Sequence, residues 1–122
     1  MIIMKNKKLT IGISLRVVGN TDYNEKRDAL SQDWSKFFEK LEINPLLIPN
    51  TIKNVSEFLE DMQVQGLFLS GGDNVGDNQD RDITEQKIID YCLEKKIPLI
   101  GICRGMQVIN TFFGGGIETL EN

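Results

Sequence analysis

The sequence predicts an α/β fold, a doubly wound parallel sheet with flanking helices. Three observations predict it. Apolar runs of strand length alternate four times with stretches of helical period. The strand runs are apolar without polar alternation, as expected when helices cover both faces of a sheet. Turns bearing polar residues or glycine follow the first, third and fourth strand runs, and their carboxyl ends are where such sheets hold ligands.

The elements follow in order. Leu9–Leu15 (LTIGISL) reads as the first strand. Asp22 and Glu25 have capping-box spacing and predict a helix that carries Leu30, Trp34, Phe37, Phe38 and Leu41 on one inward stripe. Pro45–Pro49 (PLLIP) is a second strand bounded by prolines. Asn54 and Glu57 form another capping box, opening a helix with Val55, Phe58, Leu59 and Met62 on one face. Gly66–Ser70 (GLFLS) is the third strand, followed by Gly71-Gly72 and a polar loop from Asp73 to Arg81. Asp82 and Glu85 have the spacing to cap a third helix, with Ile88, Ile89, Cys92 and Leu93 inward. Pro98–Ile102 is the fourth strand. Met106–Phe113 is the fourth helix, closed by Gly114-Gly115-Gly116.

Composition narrows the function classes. The chain has 122 residues, a formal net charge of -4 and no basic stripe, which argues against a nucleic-acid or membrane-surface partner. Met1–Thr10 holds too short an apolar run for a signal peptide, and no stretch is long enough to span a bilayer, so the cytoplasm is the expected compartment. Two cysteines make no disulfide framework. The acidic loop from Asp73 to Asp82 fails the EF-hand pattern, since Val75 and Asn78 stand where an oxygen ligand and a glycine are required. No phosphate-loop motif occurs. No metal and no cofactor are expected.

Cys103 carries the chemistry signal. It lies between Gly101 and Gly105, where a strand turns into a helix. Small residues two positions to each side define a nucleophile elbow, whose apex is held exposed at the top of a sheet. A helix N-terminus also favours a thiolate. The backbone N–H of Arg104 is placed to donate to an oxyanion, and Gly71-Gly72 can bare a second amide there. The competing reading is a small buried hydrophobe that finishes a strand. Cys92, by contrast, lies on the apolar stripe of its helix and reads as core.

The run PLIGICRGMQVIN, preceded by GLFLSGGD, resembles the class I glutamine amidotransferase superfamily, in its gamma-glutamyl hydrolase (peptidase C26-like) branch. The stretches GISLR, RDALSQDW and KIIDYCLEKKIPLIGICRGMQ are similar to gamma-glutamyl-CDP-amidate hydrolases of bacterial capsule phosphoramidate synthesis. The resemblance implies that Cys103 attacks the γ-carbonyl of a glutamyl amide, that a thioester forms as the amine leaves, and that water then releases glutamate. It implies oxyanion-hole amides at Gly72 and Arg104, and contacts to a small-molecule gamma-glutamyl substrate from Gln107 and Gly71. Arg16, at the end of the first strand, is a candidate partner for a phosphoryl or carboxylate group. A surface arginine is the competing reading for Arg16, and an exposed helical glutamine for Gln107.

One part of the resemblance is missing. The family's triad takes a histidine and a glutamate from a segment well downstream of the elbow, and this chain has no histidine. Glu118 and Glu121 are not expected to replace it. Residues 1–122 are therefore expected to be the N-terminal part of a single domain, incomplete at the C-terminus, with negligible hydrolase activity alone and with an exposed sheet edge or apolar face. The remainder of the domain or a synthetase subunit is the expected partner. Two alternatives stand beside the hydrolase. One is the glutaminase part of an amidotransferase, passing ammonia to a synthetase. The other is a non-catalytic fragment.

Overall fold

The computed structural model describes residues 8–20, 22–118 and 120; Met1–Lys7, Thr21, Thr119, Glu121 and Asn122 lie outside the described residues. The chain runs β1 (Thr10–Ser14), β2 (Arg16–Asn20), β3 (Glu25–Ala29), α1 (Gln32–Lys40), β4 (Asn44–Ile48), α2 (Val55–Asp61), β5 (Gly66–Leu69), α3 (Gln79–Lys95), β6 (Leu99–Gly101) and α4 (Arg104–Phe112).

The main sheet is parallel, in the order β4-β1-β5-β6. The chain passes from β1 outward to β4, then returns to the other side of β1 as β5. Strand order therefore reverses between β1 and β5, and the crevice beyond their carboxyl ends is the natural ligand site of such a sheet. The predicted α/β architecture is present.

The two faces of the sheet are packed by different helices. On one face Ile11 and Ile13 meet Phe38 of α1, with Trp34 and Phe68 packed against them. On the other, Leu67 and Leu69 join Val55, Leu59, Ile88, Ile89, Cys92 and Val108 from α2, α3 and α4. Alternate residues of β1 and β5 point to opposite faces, as the pleat requires. Gly12 leaves space that the Leu67 and Ile48 side chains fill; a Cβ there would lie 2.5 Å from Leu67 Cδ2.

Several sequence expectations are corrected. The capping-box spacing at Asp22 opens no helix. Residues 22–24 are the turn of an antiparallel hairpin in which β2 pairs β3, Arg16 opposite Ala29 and Asn20 opposite Glu25. A tertiary anchor holds this polar ribbon: the Asn50 N–H and Nδ2 donate to the Asp28 carboxylate, both at 2.9 Å. The helix starts at Gln32 instead, where the Ser31 hydroxyl accepts from the Asp33 N–H. Only part of the expected stripe turns inward. Trp34 and Phe38 pack on the sheet, Leu30 packs there from outside the helix, and Phe37 and Leu41 are exposed.

The third helix starts one turn before the expected cap. Asn78 is its N-cap, accepting from the Arg81 N–H at 3.1 Å, and Asp82 and Glu85 lie inside the helix. Leu93 and Met62 are exposed, whereas Ile88, Ile89 and Cys92 are buried as expected. The Asn54 cap of α2 is present, with Asn54 Oδ1 accepting from the Glu57 N–H at 3.0 Å. Among the described residues β6 pairs only with β5, leaving the expected open edge, and Ile100 and Ile102 are exposed beside it. No helix among the described residues is long and apolar enough to cross a membrane.

Candidate active site

The site lies where β1, β5 and β6 end. Ser14 and Ser70 lock the first two ends together. The Ser70 N–H donates to Ser14 Oγ at 3.0 Å, and Ser70 Oγ donates to the Ser14 carbonyl at 2.6 Å. Both residues are buried, so these bonds are not exchanged for water. The Ile102 N–H donates to the Leu69 carbonyl at 3.0 Å and holds the third end alongside.

Cys103 follows, at φ 52 and ψ -109, and is the N-cap of α4. Few L-residues adopt this conformation, and it costs on the order of 1–3 kcal/mol. The flanking glycines make the turn possible by removing atoms. A Cβ on Gly101 would lie 2.5 Å from the Gly105 carbonyl carbon, and one on Gly105 would lie 2.9 Å from Leu69 Cβ and closer still to the Leu69 carbonyl oxygen. The turn therefore packs backbone against backbone, and Cys103 stands exposed above it.

The glycine pair after β5 lies beside the elbow. A Cβ on Gly71 would be 3.6 Å from Cys103 Cβ. Gly72 takes φ +87 and Asp73 φ 64, so the chain turns sharply here. Arg16 extends over this turn, its Nη2 3.3 Å from Asp73 Oδ1, and the Val17 N–H donates to Asp73 Oδ2. Thus Asp73 ties the start of the hairpin to the glycine turn. Arg16, Ser31, Trp34 and Gly71-Gly72 border a cavity of about 200 Å³. A larger apolar hollow of about 410 Å³ adjoins it, walled by Trp34, Phe37, Phe68 and Ile102.

The candidate residues divide as follows. Gly71 lies against Cys103, with Gly72 and Arg104 the next residues along each segment. Arg16 sits at the same rim, already engaged with Asp73. Gln107 is exposed on α4, one turn beyond Cys103, and its N–H reaches the Cys103 carbonyl at 3.4 Å. Glu118 is exposed and outside any helix or strand.

Sequence reasoning missed the buried charges beneath the site. Arg81 and Glu85 are fully buried one turn apart on α3, and they form an ion pair. Arg81 also donates to the Ser70 carbonyl at 2.8 Å, to the Gly71 carbonyl at 3.1 Å and to the Gly72 carbonyl. The Arg104 side chain is buried too, donating to Asp82 Oδ1 at 2.7 Å with its Nε 3.6 Å from Glu85 Oε1. Burial pushes the Glu85 carboxyl above its ordinary value, and the guanidinium groups of Arg81 and Arg104 oppose that shift. A signal was present: Arg81 and Glu85 fall in phase with Ile88, Ile89 and Cys92, so the apolar stripe of α3 begins with two charges. Cys92 is the inert thiol, its burial pushing it up to about 11.

A profile of the peptidase C26 family matches residues 10–120. The chain is 37% identical over 119 residues to a gamma-glutamyl-CDP-amidate hydrolase of Campylobacter jejuni, an alignment covering 92% of this chain and 59% of that protein. It is 32% identical over 82 residues to a subunit of the glutamine-hydrolysing GMP synthase of Methanococcus aeolicus, covering 67% of this chain and 39% of that one. With the corresponding protein of Methanocaldococcus jannaschii it is 34% identical over 80 residues, covering 65% and 38%. The chain thus spans about three fifths of the length of the first relative and less of the other two.

Proposed function

The chain belongs to the peptidase C26 family, and from that premise we propose that it forms the nucleophile half of a gamma-glutamyl amide hydrolase. The observation that carries the reading is Cys103, an exposed thiol at φ 52 and ψ -109 on the N-terminus of α4, beside the Gly71-Gly72 turn.

The chemistry runs in two steps. The Cys103 sulfur attacks the γ-carbonyl carbon of a glutamyl amide, and its proton passes to a base. The tetrahedral oxyanion accepts from the N–H groups of Gly72 and Arg104. Its collapse breaks the C–N bond, and the amine leaves with a proton returned by the base. Water then adds to the thioester, releases glutamate and restores the thiol. Gly71 and Gln107 contact the glutamyl group, and Arg16 at the rim meets an anionic portion of the leaving amine. The substrate is a gamma-glutamyl-CDP-amidate in this reading, which the similarity to the Campylobacter hydrolase supports. No histidine occurs among the 122 residues, so the reading assigns the base to a residue outside them and expects the isolated chain to turn over no substrate.

Similarity to GMP synthase subunits supports a second reading. Here the same thioester chemistry acts on glutamine, and the ammonia passes to a synthetase partner.

The test is turnover of gamma-glutamyl amides by the complete protein, with glutamate release as the readout. Turnover abolished by Cys103→Ala is expected. Turnover that persists in Cys103→Ala would refute the nucleophile. Glutamine hydrolysis that rises only when a synthetase is added would favour the second reading. Gamma-glutamyl amide turnover by the 122 residues alone would refute the external base.

A further inference from the structure

We infer that Arg81, anchored on Glu85, is a positioning residue that sets the orientation of the Gly71-Gly72 amides facing Cys103. The inference rests on the hydrolase reading for its consequence, and on geometry alone for its mechanism.

Arg81 spends its donors in an unusual way. Its Nη1 donates to the Gly72 carbonyl, and its Nη2 donates to the carbonyls of Ser70 and Gly71. One guanidinium thus gathers three consecutive peptide oxygens. No peptide bond among the described residues is cis. In a trans peptide the N–H points opposite to the carbonyl of the preceding residue. Turning the Ser70, Gly71 and Gly72 carbonyls toward Arg81 therefore turns the Gly71, Gly72 and Asp73 amides away from it. The Gly71 end of this turn lies against Cys103, and the Asp73 amide follows with its carboxylate held by Arg16 and Arg81.

The planar fork is what the task requires. A guanidinium holds five donors in fixed directions, whereas a lysine ammonium is a point charge with three donors. Without the fork, φ +87 at Gly72 and φ 64 at Asp73 would lack their partners, and the turn could flip its peptide planes. Glu85 fixes the fork through Nε and also faces the Arg104 guanidinium. The two residues assigned as oxyanion donors, Gly72 and Arg104, are thereby tied to one buried carboxylate. Neither Arg81 nor Glu85 touches the space above Cys103, since both are fully buried.

The experiment uses the complete protein, gamma-glutamyl p-nitroanilide as the probe amide and iodoacetamide as the probe of Cys103. Arg81→Lys is expected to lower kcat on the order of 10²-fold, the usual effect of losing one oxyanion donor, with KM within about threefold and the Cys103 alkylation rate within about twofold. In ¹H–¹⁵N spectra the Gly71, Gly72 and Asp73 amide signals are expected to shift or broaden while signals from β1 and α2 stay in place. Glu85→Asp draws the anchor back by one methylene and serves as the milder variant, with kcat expected to fall about tenfold at unchanged KM. It carries the same arms should Arg81→Lys fail to fold. Wild-type kcat in either variant overturns the inference, and so does a KM increase that accounts for the whole loss. Should the wild-type protein hydrolyse no gamma-glutamyl amide, the hydrolase reading fails and the amide spectra decide alone. Gly71 and Gly72 signals unmoved by Arg81→Lys would then overturn the positioning role, and displaced ones would uphold it.

Discussion

Replacing Gly105 by alanine tests the packing of the elbow without relying on catalysis. The new methyl would lie 2.9 Å from Leu69 Cβ and 3.0 Å from its carbonyl carbon, with the carbonyl oxygen nearer still. Ordinary carbon contacts lie at about 3.5–4.0 Å, so the obstacle must retreat by about 1 Å. That obstacle is largely the backbone of β5, a strand paired on both sides, and no flexible side chain can yield. Overpacking of this kind costs about 3 kcal/mol, at the upper end of its usual range. Alanine in place of a helical glycine returns about 1 kcal/mol. The expected net loss is about 2 kcal/mol, or roughly 8 °C in Tm for a domain of this size. Two other glycines calibrate the measurement. Gly76 has open space but φ +96, so Gly76→Ala should cost about 1 kcal/mol from backbone strain alone. A Cβ on Gly116 would meet nothing within 4 Å and its φ is not positive, so Gly116→Ala should stay within about 0.5 kcal/mol. Thermal and urea unfolding followed by circular dichroism give the three values. A Gly105→Ala protein that melts with Gly116→Ala would refute the close packing of the elbow against β5.

Other outcomes follow from the same packing. Iodoacetamide should label Cys103 in the folded protein and leave Cys92 untouched until unfolding, which peptide mapping reads directly. The Cys92 thiol is pushed up to about 11 from an ordinary 9.0, so the folded state favours its protonated form. That contribution, at most about 3 kcal/mol, is complete below pH 9 and is lost as pH rises toward 11; urea midpoints across this range should fall, and Cys92→Val should flatten the decline. Phe38→Ala removes a fully buried ring between Trp34 and Phe68 and should cost about 3–5 kcal/mol by urea unfolding. Arg16→Ala breaks a half-exposed pair with Asp73 and should change stability by less than about 1 kcal/mol. In the complete protein it should raise KM for an anionic gamma-glutamyl substrate, and an unchanged KM would remove Arg16 from the site.

The four strand–helix units of the sheet and the elbow were legible because each rests on local pattern. Buried parallel strands are plain apolar runs, and Gly-x-Cys-x-Gly is a local motif. The hairpin was hidden because β3 is polar and exposed, β2 offers only Val17 and Val18 as a half-buried apolar pair, and among the described residues the two strands pair only with each other. Its anchors, Asn50 and Asp73, are distant in sequence, while the spacing of Asp22 and Glu25 mimics a helix start. Helix ends were blurred for a related reason. Glu42, Gln63 and Lys96 adopt φ 55, 55 and 57 just past the first three helices, where glycine is the usual sign. At the site, Cys103 and the glycines could be read directly. Arg81 showed only as a charge in phase with the apolar stripe of α3, and the carbonyls it holds carry no side-chain signature.

The conformation of Cys103 also bears on how this protein would fare under selection for robustness. At φ 52 and ψ -109 the backbone suits glycine better than any residue with a Cβ. Cys103→Gly should therefore raise stability by about 1 kcal/mol or more while deleting the thiol. A variant library sorted on heat tolerance or soluble yield would enrich glycine at this position. On the nucleophile reading, chemistry maintains cysteine there against a standing pull from the fold.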